Sequence, residues 1–486
     1  MELKFLNKEI SEIIKFEEVP IFPTFVGDWY FGKEYSEVKS PIDLSVIAKV
    51  TKLDYEVAEN TIQRMYKKKE DLTGKERLEL IKNLIYSFEK VKDDLINVLI
   101  VNSGKTKDLA KGEVEASIKR LKFAEYELKN FDGRHIDGSW NNEKVEGIVK
   151  REPIGIVLII SPFNYPLFSV VDKFVSSFLF GNSVIIKPSS LTPIPSIIFA
   201  RLLEISNFPK NLFSVFTIPG KDMNKIVSDK RISGIIFTGS TETGEEIVKN
   251  GGIKNYILEC GGGAICFVLN DAEVEKASEK IVKGITLYSG QRCDSIKIVF
   301  AESKIYEELK EKILEKISKI KVGDPRESDL GPIVDISAIK EYEIAVEDAK
   351  SKGAKILYGK RIGENYILPT IIEADKKIVK NLYAFNKEVF LSLAILVKVE
   401  SFEEAIDISN ERRYGLDACI FGKDLNKIKE ICDKINVGAI YVNDYPRHGI
   451  GYFPYGGRKD SGVGFWGIGY SVERLTNYKS IIFTFE

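Results

Sequence analysis

Between residues 151 and 260 the chain alternates short apolar runs with segments of helical character. The apolar runs are rich in β-branched residues and read GIVLII (155–160), SVIIKP (183–188), LFSVFTI (212–218), ISGIIF (232–237) and NYILE (255–259). Such runs are typical of strands buried on both faces. Their alternation with helices over short loops predicts parallel βαβ units in an open, doubly wound sheet. The sequence therefore predicts an α/β fold whose ligands bind at the carboxyl ends of these strands.

The rest of the chain is predicted to complete this unit and to build a second one. Apolar stripes predict amphipathic helices from Lys75 to about Ile100 and from Glu113 to Lys129. A helix that Asp271 can cap begins a second α/β unit, which continues to about residue 457. The polar segment 131–149 is predicted to be a protruding hairpin that needs a partner, and the chain ends in a β-type run.

Charge, hydropathy and cysteine content narrow the class of protein further. The 71 Lys and Arg nearly balance the 72 Asp and Glu, which argues against a general nucleic-acid or membrane surface. No apolar run approaches the ~20 residues of a membrane span, and the charged N-terminus does not read as a signal peptide. Five cysteines without CxxC spacing predict reduced thiols and a cytoplasmic protein. The two histidines argue against a histidine-based metal site or triad.

Two reactive side chains occupy predicted loop positions in this framework. Glu259 closes an apolar run and is followed by the glycines 261–263, so it lies where a strand ends in a loop. Cys293 comes 34 residues later, at the C-terminal end of a periodic helix. A thiolate is a strong nucleophile near neutral pH, and a carboxylate can activate water against the adduct that it forms. Taken alone, the two residues also fit a buried structural thiol and a solvated carboxylate.

Two motifs here resemble the signature pair of the aldehyde dehydrogenase superfamily: LECGGGA (258–264) and GQRC (290–293). The Gln-Arg-Cys triplet and the C-terminal end are most similar to its non-phosphorylating glyceraldehyde-3-phosphate dehydrogenase branch. The resemblance implies that an aldehyde is oxidised to an acid with NAD or NADP, with Cys293 as nucleophile and Glu259 as general base. It also implies a dinucleotide-binding domain (1–130 and 150–260), a catalytic domain (261–458), and an oligomerisation element (131–149 and 459–486) of a homotetramer or dimer.

The same resemblance assigns further residues to the reaction and the cofactor. Asn164, in the loop SPFNYP, would stabilise the oxyanion together with the backbone N–H of Cys293. Lys187 would bind the adenosine ribose. Ser190 stands where many NAD-preferring members carry Glu, which predicts that NADP is tolerated or preferred, with NAD possible. The other predicted cofactor residues are Ser161, Phe163, Glu388 and Phe390, with Gly239 and Ser240 at a helix N-terminus that suits a pyrophosphate. The chain departs from the family at Leu391-Ser392, where Gly-Pro is common.

The substrate predicted from this branch is a phosphorylated three-carbon aldehyde. Its phosphate would be bound by Arg292, Tyr165, Arg120 and Arg447. The predicted reaction converts glyceraldehyde 3-phosphate to 3-phosphoglycerate without inorganic phosphate. A dehydrogenase of succinic semialdehyde or another small aldehyde is the alternative enzyme, because a dicarboxylic semialdehyde is also an anion. A non-catalytic homologue is the alternative from another class, against which intact Cys293, Glu259 and Asn164 argue.

Overall fold

The centre of the molecule is the parallel sheet that the alternating apolar runs predict. The computed structural model describes residues 3, 6–67, 71–131, 133–140 and 143–485. Eight strands form this sheet, in the order Gly462–Val463, Asn255–Glu259, Ile232–Thr238, Ile156–Ile160, Ser183–Lys187, Phe213–Val215, Thr24–Phe25 and Trp29–Tyr30. The five strands from Asn255–Glu259 to Phe213–Val215 are mutually parallel, and their flanking strands pair antiparallel. The predicted α/β class is therefore confirmed.

A second large sheet follows in the chain. Its seven strands are ordered Lys355–Tyr358, Thr370–Ala374, Leu393–Val399, Ile296–Glu302, Ala264–Val268, Asp417–Phe421 and Ala439–Val442. All of its pairs are parallel except the edge pair of Lys355–Tyr358 with Thr370–Ala374. Ile296–Glu302 is buried at all seven positions, which fits a strand covered by helices on both faces.

Helices cover both sheets. The α-helices of the described residues are Lys8–Ser11, Tyr55–Lys67, Gly74–Lys90, Lys92–Ser103, Lys107–Lys122, Ala124–Leu128, Phe168–Leu179, Ile194–Ile205, Met223–Val227, Thr241–Gly251, Val274–Thr286, Ser303–Ser318, Ser337–Ser351, Tyr383–Asn386, Phe402–Asn410, Leu425–Lys434 and Val472–Leu475. Short 3-10 turns occur at Lys129–Phe131, Gly220–Asp222, Leu287–Gly290 and Val379–Asn381. None of the helices in the described part of the chain is long and apolar enough to cross a membrane.

The polar hairpin finds its partner within the same chain. Arg134–Trp140 and Glu143–Pro153 pair antiparallel, as predicted, and Thr476–Phe485 pairs along Glu143–Pro153 to complete a three-stranded sheet. The hairpin prediction also spans residues 132, 141 and 142, which lie outside the described residues. Two smaller sheets complete the fold: Lys15–Phe16, Pro20–Phe22, Val46–Thr51 and Tyr35–Lys39 in one, and Tyr414–Gly415 with Arg458–Lys459 in the other.

Three helix predictions need correction. The helix predicted from Lys75 to Ile100 is two helices, because at Val91 the backbone leaves the helical conformation, with φ of −113° and ψ of 18°. The helix predicted for 113–129 likewise divides at Phe123 into Lys107–Lys122 and Ala124–Leu128. Asp271 does not cap the helix that begins at Val274. Its carboxylate instead accepts the backbone N–H groups of residues 423 and 424 in a neighbouring loop.

Candidate active site

One cavity of about 880 Å³ collects most of the predicted functional residues. Its volume lies in the upper part of the range typical of ligand sites. The eight-stranded sheet contributes the loops that follow four of its five parallel strands, as the sequence predicted. The seven-stranded sheet contributes the loop that precedes Ile296–Glu302, which carries Cys293. The cavity therefore lies where the two units meet.

A tight reversal of the chain presents Cys293. The helix Val274–Thr286 ends before the thiol, and Tyr288 and Ser289 then adopt φ of 54°. Gly290 has φ of 74°, and a Cβ there would lie 2.2 Å from the carbonyl carbon of Leu391, so this close approach requires glycine. Cys293 was predicted at the end of the helix itself. It lies in the loop after the intervening 3-10 turn, because these left-handed residues cannot continue a helix.

The thiol of Cys293 is half-buried and has polar neighbours. Its Sγ lies 3.3 Å from the hydroxyl of Tyr455. Burial raises the pKa of the Cys293 thiol, while hydrogen bonding to His448 and to Tyr455 opposes that rise. The loop therefore exposes a nucleophile to the cavity and surrounds it with groups that can stabilise its ionised form.

Glu259 ends the strand Asn255–Glu259 and lines the same cavity. Its carboxylate is 7% exposed, and it accepts hydrogen bonds from Lys173 Nζ at 3.1 Å and from Thr238 Oγ1 at 2.7 Å. Lys173 also contacts Asp172 and lies over the ring of Trp466. These contacts fix the position of a buried carboxylate that faces the cavity of the thiol. The sequence analysis missed Lys173 and Thr238, although an Asp-Lys pair inside the otherwise uncharged helix Phe168–Leu179 was a signal.

Asn164 lies on the opposite loop. Its Nδ2 donates to the carbonyl of Gln291 at 2.9 Å, so this amide is tied to the chain next to Cys293 and keeps one N–H for a ligand. The loop is itself anchored by Glu113, which accepts the backbone N–H groups of Leu167 and Phe168 and pairs with buried Lys105. Thiol, carboxylate and amide all line one cavity.

A second set of cavity residues has the features of a dinucleotide site. Lys187 ends its strand and makes no ion pair within the described residues, and burial lowers its pKa. Ser190 is exposed and adds no charge. Gly239 and Ser240 precede the helix Thr241–Gly251, whose Thr243 N–H is capped by Ser240. Ser161, which also lines the cavity, has a buried hydroxyl with no hydrogen-bond partner among the described residues.

Glu388 and Phe390 also line the cavity. Phe390 meets Phe163 edge to face, with 5.8 Å between ring centroids. Burial raises the pKa of Glu388, which nearby Lys297 opposes, and its Oε1 has no partner in the described part of the chain. An orphaned carboxylate oxygen of this kind suits the hydroxyls of a ribose. At Leu391, where the chain departs from the family pattern, the backbone carbonyl accepts a hydrogen bond from Lys297 at 2.5 Å.

The predicted substrate residues divide into two groups. Tyr165, Arg292 and Arg447 line the cavity. Arg292 is 3% exposed and donates to Asp294 at 2.7 Å, and Arg447 pairs with Asp444 near the surface. Arg120 is not brought to the cavity. It is fully buried in an ion-pair cluster with Asp172 and Glu127, which satisfies its charge inside the protein.

Comparison with known proteins decides the family. The model of the aldehyde dehydrogenase family matches residues 29–481. The chain belongs to the aldehyde dehydrogenase family. A lactaldehyde dehydrogenase of Methanocaldococcus jannaschii is 31% identical over 94% of this chain and 99% of its own length. An NADP-dependent glyceraldehyde-3-phosphate dehydrogenase of Streptococcus equinus is 30% identical over 94% and 97%. The crystal structure of a glyceraldehyde-3-phosphate dehydrogenase of M. jannaschii with NADP superposes with a TM-score of 0.88, at 30% identity over 93% and 100%.

This aldehyde dehydrogenase has an additional group at its thiol that the sequence analysis set aside. His448 reaches the cavity from the loop after Ala439–Val442, and Cys293, Asp294 and His448 offer ligand atoms within 4.8 Å of one another. A thiol, a carboxylate and an imidazole therefore form one cluster at the nucleophile. The sequence offered one signal, a histidine beside the predicted Arg447, but its distance along the chain from Cys293 hid the contact.

Proposed function

We propose that the protein oxidises glyceraldehyde 3-phosphate to 3-phosphoglycerate with NADP⁺ and without inorganic phosphate. The observation that carries this proposal is the convergence of Cys293, Glu259 and Asn164 on one cavity that also has unsatisfied polar groups for a dinucleotide. Names of similar proteins support an NADP-dependent reaction on a three-carbon aldehyde.

Each of the three residues has a distinct step. Cys293 Sγ attacks the aldehyde carbon, and the resulting oxyanion accepts hydrogen bonds from Asn164 Nδ2 and the backbone N–H of Cys293. A bound NADP⁺ would supply the acceptor for the hydride that leaves this carbon, so that a thioester on Cys293 would remain. Glu259 then takes a proton from water, whose oxygen attacks the thioester carbonyl. The acid departs and the sulfur is released for the next cycle.

NADP is proposed over NAD from the charges near Lys187. Lys187 has no carboxylate partner in the described structure, and the exposed residue at 190 is a neutral serine. A 2′-phosphate there would meet a cation and no opposing charge. The orphaned oxygen of Glu388 and the hydroxyl of Ser161 would serve the rest of the cofactor.

The substrate phosphate would be held by Arg292 and Arg447, with Tyr165 beside them. The Nη1 of Arg292 is buried without a hydrogen-bond partner among the described residues, so it has a donor to offer. One observation favours a second candidate, an unphosphorylated 2-hydroxyaldehyde such as lactaldehyde. Arg292 and Arg447 already have the carboxylate partners Asp294 and Asp444, and Arg120 lies elsewhere.

A substrate panel separates these candidates. NADP⁺ reduction is followed with glyceraldehyde 3-phosphate, glyceraldehyde, lactaldehyde and succinic semialdehyde, with no phosphate added. Arg447→Met is expected to lower kcat/KM for the phosphorylated aldehyde about 10- to 100-fold and to spare the neutral ones. Arg413→Met is the matched control, because Arg413 pairs with Asp460 and does not line the cavity. Equal loss on all substrates would reject the phosphate site, and turnover by Cys293→Ser would reject the mechanism.

A further inference from the structure

His448 is enclosed by anionic groups. Its Nε2 lies 3.2 Å from Asp294 Oδ2 and 3.8 Å from Asp417 Oδ2, and its side chain is 24% exposed. Cys293 Sγ belongs to the same cluster, within 4.8 Å of the imidazole and of Asp294. Three groups that can carry negative charge therefore surround one imidazole, an arrangement that favours its protonated form.

Asp417 strengthens this argument because it has no other partner. Its side chain is fully buried at the start of the strand Asp417–Phe421, and neither of its oxygens accepts a hydrogen bond in the described residues. An unpaired buried carboxylate is costly unless a cation compensates it. Burial raises the pKa of Asp417 to about 7, and His448, the cationic group beside it, opposes that rise.

The other charged and titratable groups near His448 do not cancel the effect of these acidic groups on its protonation. Arg292 donates hydrogen bonds to Asp294 and to the carbonyl of Pro446. Asp294 therefore lies between two cationic groups, Arg292 and His448. Tyr455 contacts both the thiol and the imidazole ring, and Tyr165 and Tyr441 lie near Arg292 and Asp417. Burial alone would lower the pKa of His448, but Asp294, Cys293 and Asp417 outweigh it and raise the pKa to about 10.

The geometry points to a thiolate–imidazolium pair in the enzyme without substrate: His448, held as a cation between Asp294 and Asp417, stabilises the thiolate that forms when Cys293 loses its proton. The step is balanced: the S–H bond of Cys293 breaks, its proton passes to water, and the electron pair stays on sulfur beside the cation. His448 thereby opposes the effect of burial on the thiol, and Glu259 is left free to activate water. This inference rests on the proposed role of Cys293 as nucleophile, but it concerns the enzyme without substrate.

Alkylation by iodoacetamide tests the pair without turnover, because the thiolate is the reactive form. The rate at Cys293, identified by peptide mapping, is expected to be at least tenfold higher at pH 7 in the unmodified protein than in His448→Gln. In His448→Gln the midpoint of the pH profile of alkylation should move to higher pH, because the cation beside the thiol is lost. His135→Gln is the matched control, since His135 is the other histidine, is exposed and also faces an aspartate.

A second measurement does not depend on the folding of His448→Gln. With ¹³C-labelled histidine, His135→Gln protein carries a single labelled imidazole, that of His448. It is expected to remain protonated at pH 8, and adding Cys293→Ala should lower its titration midpoint because a negative neighbour is lost. A neutral His448 at pH 7 would overturn the proposal, as would equal pH profiles of alkylation for the unmodified protein and His448→Gln. If alkylation depends on His448 as expected but aldehyde is not oxidised, the pair stands and the proposed function fails.

Discussion

Replacing Asn164 by alanine tests the oxyanion site directly. Of the two N–H groups on Asn164 Nδ2, one is donated to Gln291 at 2.9 Å, so the substitution removes a single donor to the substrate. Loss of one such donor costs ~10²–10³ in kcat, or about 3–4 kcal/mol of barrier. KM should change little, because this interaction is made in the transition state rather than with the bound aldehyde.

The assay is steady-state NADPH formation at saturating cofactor, with iodoacetamide alkylation of Cys293 measured in parallel. Alkylation needs no oxyanion donor and should be unaffected by Asn164→Ala. Asn182→Ala is the control for general damage. Asn182 is equally buried and bonds Ser177, Leu475 and Gly155, at the far end of the strand Ser183–Lys187. The Asn182→Ala variant should have a lower free energy of unfolding but an unchanged kcat. A decrease in kcat of less than tenfold for Asn164→Ala would refute the oxyanion role.

Three further substitutions test other parts of the site. Glu259→Gln should leave a burst of about one NADPH per chain and lower the steady rate ~10²–10⁴-fold, because the thioester forms but is not hydrolysed. Rapid-mixing absorbance measures both phases, and an unchanged steady rate contradicts this prediction. Ser190→Glu should lower kcat/KM for NADP⁺ at least about tenfold and spare NAD⁺, because a carboxylate would repel the 2′-phosphate; a uniform loss with both cofactors would count against the assignment. Gly290→Ala should lower the free energy of unfolding by about 2–5 kcal/mol, from a left-handed φ and overpacking against Leu391. Gly353→Ala, at φ of 85° in open space, is its control, and equal urea midpoints for the two variants would show that the contact with Leu391 is unimportant.

The sequence predicted the parts of the site that depend on local pattern. Buried β-rich runs predicted the parallel sheet, and the ends of those strands then located Glu259, Lys187 and the loop of Asn164 on one edge. The resemblance supplied Cys293, which lies in the loop before a strand of the other sheet. No periodicity places a residue there, and a helical extension to Cys293 was the wrong local prediction. The positive φ values at 288–290 accompany a close approach of Gly290 to Leu391, a contact between distant segments.

The parts that sequence could not supply are pairings between charges far apart in the chain. Arg120 shares its helix with an apolar stripe, and from sequence its cation was equally available to the cavity and to the interior. Whether it faced a ligand depended on Asp172, 52 residues away, with which it forms a buried ion pair. Lys173, next to Asp172, pairs with both Asp172 and Glu259. Two adjacent residues of one helix thus link a structural cluster to the reaction site, a connection that only the tertiary contacts define.

Asp294 connects substrate recognition to the state of the thiol. One of its oxygens, Oδ2, accepts a hydrogen bond from Arg292 and also faces His448. A substrate phosphate bound to Arg292 would weaken the interaction of Arg292 with Asp294, because one guanidinium would then be shared between two anions. Asp294 would then be less neutralised by Arg292 and would stabilise the imidazolium of His448 more strongly. A neutral aldehyde would leave this balance unchanged, so the proposed phosphate site and the proposed thiolate–imidazolium pair would be coupled through a single carboxylate.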